Sequence, residues 1–140
     1  MSEEIQALDR FVVVQQKRYP QIVSELKAGS KEGHWMWFVF PQIDGLSTSK
    51  VGRIFAISDD EEALAYLNHS LLGARLRECV QILLTHAGQP IFLIFNEMDA
   101  LKFHASMTLF ASISEDSSVF HRALDAFFEG ARHEKTLALL

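Results

Sequence analysis

Apolar residues recur at helical spacing from the start of the chain. Ile5, Leu8, Phe11 and Val12 fall on one face together with Gln15, and Ser2 stands where a cap is expected. Tyr19-Pro20 predicts an interruption, because proline suits the first turn of a new helix, where its missing N–H has no partner to lose. A second helix carrying Ile22, Val23 and Leu26 inward is therefore expected, ending at Gly29. After a polar turn comes the densest apolar stretch, Gly33-His34-Trp35-Met36-Trp37-Phe38-Val39-Phe40-Pro41-Gln42, which holds both tryptophans. It is too short and too uniform for periodicity to separate helix from buried strand. Aromatic preference favours strand; the helical neighbours and the lack of a pairing partner favour a short helix ended by Pro41, which is the expectation here.

The remaining pattern is also helical. Asp44 to Ser49 is a loop running into a helix over 50–57, with Ile54, Phe55 and Ile57 apolar. Asp59 to Glu62 puts negative charge at the next helix start, where the macrodipole favours it, and Leu64, Tyr66 and Leu67 supply its inner face. Leu72, Leu76, Cys79, Val80 and Leu83 share one stripe of a helix over 71–85. Gln89-Pro90 opens a short apolar segment, Ile91 to Phe95. Asp99 reads as the cap of a helix over 100–113, and Val119 to Glu129 is amphipathic and closed by Gly130. The tail, Thr136 to Leu140, is too apolar to remain in water and is expected to dock. The pattern predicts a single all-α domain over 1–140, built of about eight to ten helices, several of them short.

A chain of 140 residues fits one domain and is long enough to bury a core unaided. The net charge of -5 argues against a broad electrostatic surface for a nucleic-acid polymer but leaves room for a local anion site. Cys79 is the only cysteine, so no internal disulfide can form. The N-terminus lacks a hydrophobic signal core, and no apolar run approaches the ~18 residues of a spanning helix, so a cytoplasmic protein without a membrane partner is expected. No metal is expected: no two histidines lie three or four residues apart, and no paired-cysteine motif is present. No cofactor is expected either, since the glycine spacing of a P-loop or dinucleotide fingerprint is missing. No nucleophile elbow appears.

Several runs together resemble a known family. They are Arg10-Phe11-Val12 with Gln15; the tryptophan run from His34 to Gln42; Tyr66-Leu67-Asn68-His69 with Leu72-Gly73-Ala74-Arg75-Leu76; Asp99, Lys102 and Ser106-Met107-Thr108-Leu109-Phe110; and Thr136 through Leu140. End to end the chain is similar to the DUF1810 family, a bacterial and fungal group of unknown function. The resemblance implies a compact, mainly helical domain and supplies no activity. Some members carry the label calpastatin; that inhibitor is a disordered repeat protein, and this chain is neither. Three positions depart from the family pattern: Ser70 stands where proline is usual, Ala105 where a first serine is usual, and Asn96 where glycine is common. Ala105 weakens any mechanism that needs two adjacent hydroxyls.

Three constellations carry candidate chemistry. In the aromatic run, Trp35 or Trp37 could line a pocket and stack on a flat ring, with His34 and Gln42 as polar neighbours; the same rings could equally be core. Lys102 and Ser106 lie four apart on one helical face, so ammonium and hydroxyl can converge to bind an anion or to activate the serine. Alternatively Lys102 pairs with Asp99, and Ser106 bonds back to its own helix. Ser47-Thr48-Ser49 with Lys50 and Arg53 could hold a phosphate, or could be a cap beside a solvated cationic face. Arg75 and, from the Ser-Met-Thr-Leu-Phe run, Thr108 complete the ligand-binding candidates; His34, Lys102 and Ser106 are the catalytic ones. The leading expectation is a site for a small anionic ligand with a flat ring, nucleotide-like, where the tryptophan run meets the helix of Lys102 and Ser106. The alternative is a non-catalytic interaction or dimerisation module using Ile91 to Phe95 and the tail.

Overall fold

Helix α1 spans Glu3–Ala28 and continues through Pro20, where the sequence predicts a break. Leu8, Phe11, Gln15, Ile22 and Leu26 form one buried stripe that crosses the proline. A proline inside a helix costs on the order of 3 kcal/mol. Burial of four large apolar side chains, each contributing roughly 1.5–3 kcal/mol, outweighs that. Pro20 itself is exposed, as is Gln16, whose carbonyl loses its helical partner and can turn to water. A computed structural model describes residues 3–140, with side chains from Ala7 onward. The expected cap at Ser2 and the inward side chain of Ile5 lie outside the described residues.

Beyond α1 the order is α2 (Met36–Val39), α3 (Lys50–Ile54), α4 (Asp60–Asn68), α5 (Leu72–Leu84), a 3-10 turn (Ile91–Leu93), α6 (Glu97–Ser112), α7 (Val119–Phe128) and α8 (Glu134–Leu139). The all-α class holds, and the tryptophan run forms the expected short helix. Among the described residues the sole extended pairing is an isolated bridge between Ile43 and Ile57. That bridge explains why α3 stops at Ile54 rather than at Ile57. The Ile57 amide donates to the Gln42 carbonyl at 2.8 Å and its carbonyl accepts from Asp44 at 2.7 Å, which draws the segment away from helical geometry. Leu64, expected to face inward, is 48% exposed; Ala63, Tyr66 and Leu67, at i, i+3 and i+4, form the inner face instead.

The packing centre is α6. It is buried around most of its circumference and takes Ala100, Phe103, Ala105, Met107, Leu109 and Phe110 into the core. Helices α2, α4, α7 and α8 all pack on it. Its cap is Asn96, not Asp99: the Asn96 side chain accepts from the Asp99 amide at 2.8 Å. The tail does dock, as α8 against α6, with Thr136 fully buried.

Helices α4 and α5 meet at Gly73. A methyl group there would lie 2.0 Å from the Leu67 carbonyl oxygen, and backbone cannot yield as a side chain can. Gly73→Ala is expected to destabilise the fold by about 2–3 kcal/mol, as overpacking does, and urea unfolding would measure it.

Candidate functional site

The two tryptophans have opposite fates. They are two residues apart, roughly 200° around a helix, so they cannot both face the core. Trp35 is fully buried against Phe40 and Phe95. Trp37 is half-buried. Glu25 decides which goes inward. One of its carboxylate oxygens accepts from the Glu32 amide at 2.6 Å, the Gly33 amide at 2.8 Å and the Trp35 indole N–H at 3.0 Å. The other accepts from Gln21 at 2.9 Å. Burial alone would raise the Glu25 pKa; the donors from Gly33, Glu32, Trp35 and Gln21 win and hold it down at about 2. On the far side of the run, the Gln15 side-chain amide donates to the Phe38 carbonyl at 2.5 Å.

Trp37 meets α6 at Lys102, whose ammonium lies 4.9 Å from the indole centroid. Because Asn96 caps α6, the Asp99 carboxylate is free to bridge two lysines. It takes Lys31 at 2.8 Å and Lys102 at 3.4 Å. One carboxylate shared between two ammoniums leaves this cluster with a net positive charge.

Two adjacent hollows share Trp37, Met98 and Lys102 as a common wall. The larger, about 380 Å³, adds Gln42, Leu46, the Ser47-Thr48-Ser49 loop, Leu101, His133 and Lys135. The smaller, about 320 Å³, adds Lys31, Glu32, His34, Met36, Asn96 and Asp99. Both lie near the low end of volumes that hold small ligands, ~300–1,000 Å³. The larger hollow is lined by two lysines and, among the described residues, by no carboxylate. Leu46, Met98 and Leu101 give it apolar surface beside the indole.

Of the residues singled out in the sequence, Trp37, Lys102, Gln42 and the Ser47-Thr48-Ser49 loop converge on the larger hollow, and His34 joins them across the wall in the smaller one. The others go elsewhere. Trp35 is sealed in the core. Ser106 is fully buried on α6 and borders neither hollow, so it is not placed as a nucleophile; its hydroxyl finds no hydrogen-bond partner, not even its own helix. Thr108 is buried too. Its hydroxyl donates to the His104 carbonyl at 2.9 Å and accepts from the His133 amide at 2.9 Å. Lys50 and Arg53 are exposed and border neither hollow, and the serine hydroxyls serve the α3 cap: Ser49 accepts from Gly52 at 3.0 Å, and Ser47 lies 3.2 Å from Ser49. Arg75 lies 4.6 Å from the Tyr19 ring centroid and 3.4 Å from the Gln15 side-chain oxygen. Nearby, Cys79 is buried, and burial pushes its thiol up to about 12, which keeps it unreactive.

His133 and Lys135 escape the sequence reading. The one hint was a histidine three residues before Thr136 at the start of an apolar tail, a capping position that histidine seldom fills. Burial first, then His104 and Lys135, lowers the His133 pKa.

Among curated proteins none matches this chain. A solved structure does: the conserved hypothetical protein Rv1873 from Mycobacterium tuberculosis, 46% identical, with a TM-score of 0.92 and 95% of each chain covered. The model of a protein family of unknown function matches residues 5–140, nearly the whole chain. The chain therefore belongs to the DUF1810 family.

Proposed function

We propose that the protein binds, and senses or transforms, a small anionic compound with a flat ring, of the nucleotide type, in the hollow between Trp37 and Lys102. One observation carries this reading. A cation held beside a half-exposed indole borders a cavity that also receives Lys135 and, among the described residues, no carboxylate, in a protein of net charge -5. The indole and the apolar side chains suit a ring; the two ammoniums suit a phosphate or carboxylate.

Titration with nucleotides and nucleotide sugars tests it, followed by tryptophan fluorescence and melting temperature. Trp35 is sealed, so a ligand-induced change in emission would report Trp37. Lys102→Ala is expected to weaken binding at least about tenfold, equivalent to about 1.4 kcal/mol. A library of such compounds that leaves both signals unchanged would remove the proposal.

A second reading, an interaction module, draws on Phe92 and Leu93, 62% and 67% exposed beside the buried Ile91, Ile94 and Phe95. Light scattering across concentrations would reveal self-association, and Phe92→Ser would abolish it if that face is used.

A further inference from the structure

We infer that His133 is a ligand-binding residue, presenting a neutral, fixed Nε2–H donor to a phosphoryl oxygen in the larger hollow. This deepens the proposed function and rests on it.

The argument begins with the tail. His133 caps α8, and its Nδ1 accepts from the Thr136 amide at 3.3 Å. A backbone amide can only donate, so Nδ1 carries no proton. The Thr136 hydroxyl lies 2.9 Å from the same nitrogen and can donate to it as well. In a neutral imidazole the proton must then sit on Nε2. No described residue accepts from that nitrogen, and His133 lines the cavity. The backbone of His133 is also held, by the Thr108 hydroxyl. Two fully buried threonines, one on α6 and one on α8, thus fix the main chain and the ring of a single histidine.

The surroundings oppose its protonation. His104 meets the ring edge-on at 5.5 Å from α6, Lys135 follows it on α8, and Lys102 stands on the same cavity wall. A second proton on Nδ1 would also expel the Thr136 amide. The site therefore offers one directional neutral donor beside two lysine cations. An oxygen that only accepts hydrogen bonds fits this set, and a phosphoryl oxygen adds the charge that the lysines take.

Asparagine separates the ligand role from the structural one. Its side-chain oxygen can occupy the place of Nδ1, and asparagine is among the best capping residues, but nothing remains where Nε2 was. Glutamine reaches toward Nε2 and caps poorly. The probe is adenosine 5′-monophosphate, titrated against ¹⁵N-labelled protein with the histidine ring nitrogens and the Trp37 indole observed. His133 should show the Nε2–H tautomer before ligand is added, and that nitrogen should shift on titration. His133→Asn should keep the melting temperature and weaken binding about fivefold to tenfold. His133→Gln should melt earlier and recover part of the affinity. An Nδ1–H tautomer would overturn the inference. So would unchanged affinity in His133→Asn with Lys102→Ala still impaired, a result that leaves the proposed site standing. If the nucleotide disturbs neither Trp37 nor His133, both readings fall together.

Discussion

Replacing Glu25 by alanine is expected to lower the stability of the fold by about 3–5 kcal/mol, because several N–H donors lose a shared, charged acceptor at once. Four donors would lose their acceptor at once: the amides of Glu32 and Gly33, the Trp35 indole N–H and the Gln21 side-chain amide. Each unsatisfied buried donor costs roughly 1–3 kcal/mol. Some relief is available, because the Glu32 side of the loop can reach water. Glu25→Gln keeps one acceptor oxygen but adds an N–H where Gln21 now donates, so an intermediate loss is expected. The same group makes an acid limb. Its folded pKa, about 2, lies below the ordinary 4.5. The contribution is thus fully present above pH 4.5 and is lost progressively as pH falls toward 2. Wild type should lose stability over that window, and Glu25→Gln should lose less of it; urea midpoints at stepped pH decide the matter. Because Glu25 holds Trp35 inward, its loss should also loosen the turn that aims Trp37 at the hollow.

Much of the fold is legible in the pattern of apolar residues, and the failures have identifiable causes. The stripes on α5 and α7 are read correctly because each helix buries one face against the rest. Pro20 misleads because a local rule about a missing amide gave way to a buried stripe running from Leu8 to Leu26. Asp99 misleads because its residue type suits a cap, yet Asn96 three residues earlier does that work and leaves the carboxylate for Lys31, a partner 68 residues away in sequence. No local rule could supply that pairing. Ser106 has the right spacing from Lys102, but α6 is buried around most of its circumference, so position on a face does not distinguish cavity from core. The site is legible in its tryptophan and its lysine. It is illegible in His133 and Lys135, which matter only after the tail folds back onto α6.

Asp99→Ala is expected to rival the Glu25 change, with a loss of about 3–5 kcal/mol, and it reaches the site directly. The Lys31 side chain is 8% exposed and packs 5.2 Å from the Trp35 ring centroid. Its amide is tied to the Ile94 carbonyl at 3.0 Å, which fixes the backbone beneath the side chain. Without Asp99 a largely buried ammonium is left with the Trp35 ring and the edge of the smaller hollow for compensation. Removing the stranded charge should restore stability at neutral pH: Lys31→Met combined with Asp99→Ala should be more stable than Asp99→Ala alone by about 2 kcal/mol, within the coupling expected of touching residues. Lys102 behaves differently. Its side chain is 20% exposed, and it can relax over Trp37 toward the larger hollow. With the competing carboxylate gone, it offers an undivided positive charge to any anion there. The doubly substituted protein should then bind an anionic ring compound at least as tightly as wild type. Weaker binding would mean that Asp99 positions Lys102 rather than competes with the ligand for it.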